Sequence, residues 1–251
     1  MPWVETQSVS FVARHESSQA RQAERVLDDL EHFRDQLGEL FDHAPWDVAV
    51  VIHPRPLMLA LAHPWLPAMQ MVSAPAGRRY FAGFHSRREI HVLAPDALDQ
   101  RASGVPGSGE ALALSPRHEY VHLTVGRANP ALPPPFTPGT FRRYLRMTWV
   151  SEGAATHFAG QVPHMRGAVA RRLREGGRPS FPPAPRDALV LGGTVFALLA
   201  EQRGGHGACR ELALSRSPQD ATRVLEEAFG RPMASIERAW TDYLAALTAP
   251  A

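Results

Sequence analysis

The pattern in this chain best suited to chemistry is His118-Glu119-Tyr120-Val121-His122. On a helix, residues four apart share one face and lie about a turn from each other. Two imidazoles placed this way can bind one Zn²⁺ ion at about 2.0–2.1 Å each. Glu119 is offset by about 100° around such a helix. Its carboxylate then falls beside the open coordination position rather than on the metal. There it can serve as a catalytic base, taking a proton from a water whose pKa the ion lowers to roughly 7. Three fixed residues are a modest signal in a chain with 12 histidines. Two unrelated histidines on a solvated helix would give the same string.

A third ligand follows at Glu152, in Trp149-Val150-Ser151-Glu152-Gly153-Ala154-Ala155. Most helical glutamates are solvated surface charges. This one lies in a small and apolar stretch, Met147 to Ala155, where a charged group needs a partner. Two histidines and a glutamate with one position open are a peptidase ligand set. A metzincin set would instead need Gly three and His six residues after the second histidine, where this chain has Val125 and Ala128. The other histidines His15, His32, His43, His53, His63, His85 and His91 show no ligand spacing. They are expected at the surface or as satisfied core residues.

The elements that must position these residues can be read from periodicity. Pro116 to Val125 reads as a helix, with Ser115 as N-cap, Pro116 at its first position and Gly126 as its stop. Upstream, Trp3 to Ala13 reads as a strand. A long amphipathic helix over Gln19 to Asp42 follows, capped by Ser17 or Ser18, with Ala23, Val26, Leu27, Leu30, Phe33, Leu37, Leu40 and Phe41 on its apolar face. Asp47 to His53 carries the apolar run of a central buried strand. Pro54, Pro56, Pro64 and Pro67 break the next stretch into a short helix and turns. Arg79 to Phe84 and Glu89 to Leu93 read as a hairpin, and Ala97 to Gly109 as loop with a helical piece. Pro130 to Gly139 holds five prolines and is a surface connection. Helical patterns then cover Phe141–Gly160, Val162–Glu175, Ala188–Gln202, Ala208–Leu214, Pro218–Phe229 and Met233–Leu247, with a Pro/Gly loop at Gly176 to Pro185. The first half is thus mixed α/β, the second almost purely helical, and no internal repeat is present.

The chain resembles the gluzincins, and within them the bacterial peptidase MA-like group. In that group HExxH is followed a few tens of residues later by W-x-S-E-G-x-A. Here Glu152 lies 30 residues after His122, and Trp149, Ser151, Glu152, Gly153 and Ala155 match. Ala82-Gly83-Phe84 before an apolar strand, and Ala228-Phe229-Gly230 with Ile236-Glu237-Arg238-Ala239-Trp240 and Tyr243-Leu244 in the tail, also look like that group. The resemblance implies an α+β, thermolysin-like fold. A mixed lobe with a small sheet over 1–128 would carry the HExxH helix. A helical lobe over 140–251 would carry the third ligand, with the cleft between the two lobes. It also implies one Zn²⁺ per chain and hydrolysis of a peptide or protein substrate held along an upper-lobe edge strand. Arg79 to Phe84 is the candidate for that strand.

Two positions depart from the group. A tyrosine that steadies the oxyanion is expected near Ala188–Phe196, where this chain has Leu191-Gly192-Gly193-Thr194. Tyr144 is the best substitute, with His157, His164 and His206 as others. Some gluzincins hold a zinc histidine with Asp four residues after the glutamate ligand, and that position is Thr156. Two rivals to a peptidase follow: a fold-keeping protein that binds metal and acts as a binding or scaffold module, and a hydrolase of non-peptide amides.

The bulk composition fits these readings and excludes others. The 251 residues suffice for one domain of two lobes or two small domains. All 27 basic side chains are Arg and the net charge is only +2, so the pI near 9.1 does not argue for nucleic acid. The pairs Arg78–Arg79, Arg87–Arg88, Arg142–Arg143 and Arg171–Arg172 are expected on solvated faces. The single cysteine, Cys209, cannot form an intrachain disulfide and is expected to be a small buried hydrophobe. No apolar run is long enough to span a membrane. The first residues lack a basic stretch followed by an apolar one, so the expectation is a cytoplasmic protein.

Overall fold

The computed structural model describes residues 2–63, 66–215 and 220–249. Its N-terminal part is a mixed five-stranded sheet with helices, and its C-terminal part is mostly helical. The sheet comprises β1 (Trp3–Gln7), β2 (Phe11–Glu16), β3 (Val48–His53), β4 (Gly83–His85) and β5 (Glu89–Leu93), ordered β1-β2-β3-β5-β4. β3 lies at the centre and runs parallel to both β2 and β5. Its residues Val48, Val50 and Ile52 are fully buried, as the unbroken apolar run requires.

α1 (Ala20–Phe41) crosses one face of the sheet and buries Ala23, Leu27, Leu30, Phe33, Leu37 and Phe41. Val26 and Leu40 pack at the margin of the same stripe. α2 (Pro56–Ala62), α3 (Leu66–Val72), α4 (Pro95–Arg101) and α5 (Ser108–Ala113) are short. α6 (Ser115–Ala128) carries the HExxH run and is buried nearly all round. α7 (Pro138–Phe158) carries Glu152 and has a non-helical residue, Met147, inside it. α8 (Arg166–Arg174), α9 (Ala188–Arg203), α10 (His206–Ala213), α11 (Ala221–Phe229) and α12 (Met233–Thr248) complete the helical part. Cys209, Phe229 and Trp240 lie in its core, as expected.

Several local expectations are corrected. Trp3 to Ala13 is not one strand but the start of a hairpin, because Ser8 and Ser10 turn the chain by donating to Glu31 on α1. Neither Ser17 nor Ser18 caps α1; Glu16 and Gln19 form a reciprocal cap on the short 3₁₀ turn Ser17–Gln19 that precedes it. Of the expected strand Arg79 to Phe84 only Gly83 and Phe84 pair in the sheet, within β4, as Arg78–Tyr80 forms a 3₁₀ turn. The Ser115 hydroxyl donates to the Leu112 carbonyl instead of capping α6. Gly126 does not stop α6, which continues to Ala128. A Cβ at Gly126 would lie 2.5 Å from the Pro133 carbonyl oxygen, so the glycine admits the proline-rich strap against the helix. The predicted helix Val162–Glu175 begins with a 3₁₀ turn, Val162–Met165. Of the expected helix Pro218–Phe229, its first two residues lie outside the described residues, as does Pro64.

α7 and α9 approach closely through glycines. A Cβ on Gly192 would sit 2.8 Å from the Trp149 carbonyl oxygen and 2.9 Å from the Gly153 nitrogen. A Cβ on Gly193 would sit 2.7 Å from Thr156 Cγ2. Gly192→Ala must therefore push α9 away from the turn that bears Glu152. The expected cost is about 1–3 kcal/mol, read as a lowered denaturant midpoint with an unchanged slope.

The far face of the sheet holds a histidine cluster. His53 Nε2 lies 2.9 Å from His91 Nδ1, and the His63 ring packs edge-on against His91 and stacks on Phe84, both at 4.1 Å. Burial, and then mutual repulsion with neighbouring imidazoles, pushes both His53 and His63 down to about 4. An unfolded histidine titrates near 6.5. Between these values the unfolded chain binds more protons than the folded one, so stability falls as pH drops from about 6.5 to about 4. His63→Phe keeps the ring stack and removes one titrating group. Its melting temperature should fall less steeply than that of wild type over this window, and coincident slopes would show that His63 is not buried in its neutral form.

Candidate metal centre

α6 presents His118 and His122 toward α7, and the two Nε2 atoms lie 3.1 Å apart. Glu152 on α7 closes the group, with Oε2 3.4 Å from His118 Nε2 and Oε1 3.7 Å from His122 Nε2. All three side chains are more than nine-tenths buried. The donor atoms thus converge as one metal ion would require.

The outward ring nitrogens are held. His118 Nδ1 is 2.8 Å from Gln161 Oε1, while Gln161 Nε2 donates to the Ala111 carbonyl at 2.7 Å. That second bond fixes the amide orientation, so Oε1 can only accept and the His118 proton sits on Nδ1. Nε2 is left facing the group. His122 Nδ1 lies 3.2 Å from the Ser151 hydroxyl. Thr156 does not hold a histidine: its hydroxyl has no partner among the described residues, and Gln161 supports His118 instead.

Burial would raise the Glu152 pKa, but the charges and hydrogen bonds of His122 and His118 outweigh it and hold the carboxylate well below its usual range. Burial would lower His118, yet the hydrogen bond to Glu152 and the charges of Glu119 and Glu152 raise it. His122 moves the other way, lowered by burial and then by His85. The group therefore favours one positive charge among its three donors, and a cation satisfies all of them at once.

Glu119 faces β4 rather than Glu152. A Cβ on Gly83 would lie 2.6 Å from both Cγ and Oε1 of Glu119, so glycine is needed there for the carboxylate to fit. Glu119 Oε2 accepts a hydrogen bond from His85 Nδ1 at 2.9 Å. Burial raises the Glu119 pKa against the opposing pull of His118 and His122. The Tyr144 hydroxyl donates to Glu152 Oε1 at 2.7 Å, across the break at Met147. His157, His164 and His206 do not line the cleft; His157 and His206 pair with each other beside Phe158. The cleft over the group is otherwise apolar, with Met69, Phe81, Phe136, Phe141 and Leu189, and it includes a second tyrosine, Tyr80.

Sequence reasoning missed His85, Gln161 and Tyr80. His85 is expected at the surface or as a satisfied core residue, but it is buried and its Nε2 has no partner among the described residues. No family model matches the chain, and no curated protein matches it either.

Outer support of a metal histidine is worth about 10–100-fold in metal affinity. Gln161→Leu keeps the volume but leaves His118 Nδ1 unheld. Chelator competition should show a drop of that size, with far-UV circular dichroism unchanged.

Proposed function

We propose that the chain is a zinc-dependent metallopeptidase of the gluzincin type, with its cleft between the parts 1–128 and 140–251. The convergence of His118 Nε2, His122 Nε2 and the Glu152 carboxylate, with Glu119 held just outside them, carries this reading. Two imidazoles and one carboxylate suit Zn²⁺ over the harder oxygen-seeking cations. When bound, zinc acidifies water and polarises the substrate carbonyl.

The chain's own residues do the rest. Glu119 Oε2 is engaged by His85, so Oε1 is the basic oxygen. It takes the proton of the attacking water and later gives it to the leaving amine. β4 lies at the edge of the sheet next to Glu119, and an extended peptide can pair along it. Its short length, Gly83–His85, limits that pairing to a few residues around the scissile bond. Tyr144 already binds the zinc ligand Glu152 and is the candidate to steady the oxyanion.

A second reading rests on the same hydroxyl. A Tyr144 committed to Glu152 leaves the oxyanion without that donor, which suits a protein that binds metal and acts as a scaffold. Metal analysis and cleavage of a mixed peptide library separate the two. Wild type and Glu119→Gln should each hold about one zinc, and Glu119→Gln should cleave about 10²–10⁴-fold more slowly. Stoichiometric zinc with no cleavage by wild type assigns the scaffold reading, and failure to bind zinc would falsify both.

A further inference from the structure

We propose that His85 is a positioning residue for Glu119, holding its carboxylate off the cation so that Oε1 stays free as a base. The inference rests on the metallopeptidase reading for its purpose, but its geometry stands alone. β4 alternates, so Gly83 and His85 face α6 together while Phe84 faces away. Gly83 leaves room for the Glu119 side chain, and two residues on, His85 delivers Nδ1 to Oε2 at 2.9 Å. Among the described residues, this is the one hydrogen bond that the Glu119 side chain makes.

The His85 ring is itself fixed. It stacks on His122 with centroids 4.3 Å apart and planes 21° apart, and Phe136 lies at 5.4 Å. An ionised carboxylate only accepts, so the proton is on Nδ1 and the Nε2 lone pair is buried without a partner. A phenylalanine would fill the same space without that orphan. The imidazole is thus explained by its Nδ1 contact and not by packing.

The contact has something to oppose. Donor atoms of His85, Glu119 and His122 all lie within 4.8 Å of one another. A cation on His122 is therefore within easy reach of the Glu119 carboxylate, which a dication attracts. Ligation by Glu119 would fill the open position and remove the base. A charge-assisted hydrogen bond in a buried site holds the carboxylate in place against that pull.

The test uses His85→Phe, which keeps the stacked ring without the donor, and His85→Asn, whose amide nitrogen can replace Nδ1. Co²⁺ in place of zinc reports its ligand set through its d–d absorption. Both variants should bind one Co²⁺ with affinity within about threefold of wild type. His85→Phe should show shifted bands, because the Glu119 carboxylate then takes the open position, and Glu119→Ala added to it should restore the wild-type spectrum. His85→Asn should look like wild type. In peptide cleavage, kcat should fall about 10–100-fold in His85→Phe with KM little changed, and His85→Asn should recover most of it. A wild-type spectrum in His85→Phe overturns the proposal. So does a loss of Co²⁺ affinity of 100-fold or more, which would make His85 a ligand. If wild type binds Co²⁺ but cleaves no peptide, the peptidase reading fails while the spectra still decide the role of His85.

Discussion

A carboxylate buried beside two imidazoles sets the terms for the rest of the molecule. Glu152 is taken out of water within an apolar helix, and an isolated buried charge is too costly to keep. His118 and His122 make it tolerable, and to do so they must arrive from one face of α6 with their Nε2 atoms turned inward. That demand explains why α6 is buried nearly all round, with Tyr120 packed on Phe33 of α1 and Phe11 of β2 and with Val121 and Leu123 fully buried. It also explains the hydrogen bonds behind the rings, since a histidine free to rotate would face the carboxylate with either nitrogen. Arg117, next to His118, adds an ion pair to Asp29 on α1 that ties the helix to the N-terminal part.

The second constraint is distance. Glu152 meets the histidines only if α7 sits at the right depth, and that depth is fixed by backbone contact with α9. Gly153 and Gly192 lie against each other with no side chain between them. The buried pair of Arg172 with Asp187 holds the start of α9, with Nη2 to Oδ2 at 2.9 Å. On the other side, β3 at the centre of the sheet carries β5 and then β4 across to α6. The glycine of β4 admits Glu119 there. The two carboxylates near the histidines are thus held apart by different layers of the fold.

Much of this side-chain group is legible in the sequence. A four-residue histidine spacing survives any local error in helix boundaries, because the helix is long and its caps matter little to the face. Glu152 was legible because a charge in an apolar stretch implies a partner. The central strand and α1 were legible from periodicity. What was lost was anything that depends on register across the sheet. The turn at Ser8–Ser10 is made by Glu31, a residue on another element, so one strand was read where two exist. His85 carries no ligand spacing in sequence and reaches the centre only because β4 pairs with β5. Gln161 lies beyond the end of α7 and no local pattern marks it.

The glycine contact also accounts for the tyrosine that α9 lacks. Gly192 and Gly193 face α7 at distances that exclude even a methyl group. A phenol on this stretch could be fitted only by parting the helices, which would withdraw Glu152 from the histidines. Of α9, Leu189 alone lines the cleft. The tyrosines that line the cleft come from elsewhere: Tyr144 from the first turns of α7, before the break at Met147, and Tyr80 from the 3₁₀ turn ahead of β4. The packing that sets the depth of Glu152 thus excludes a side chain at these two positions, and the phenols of the cleft stand on its other walls.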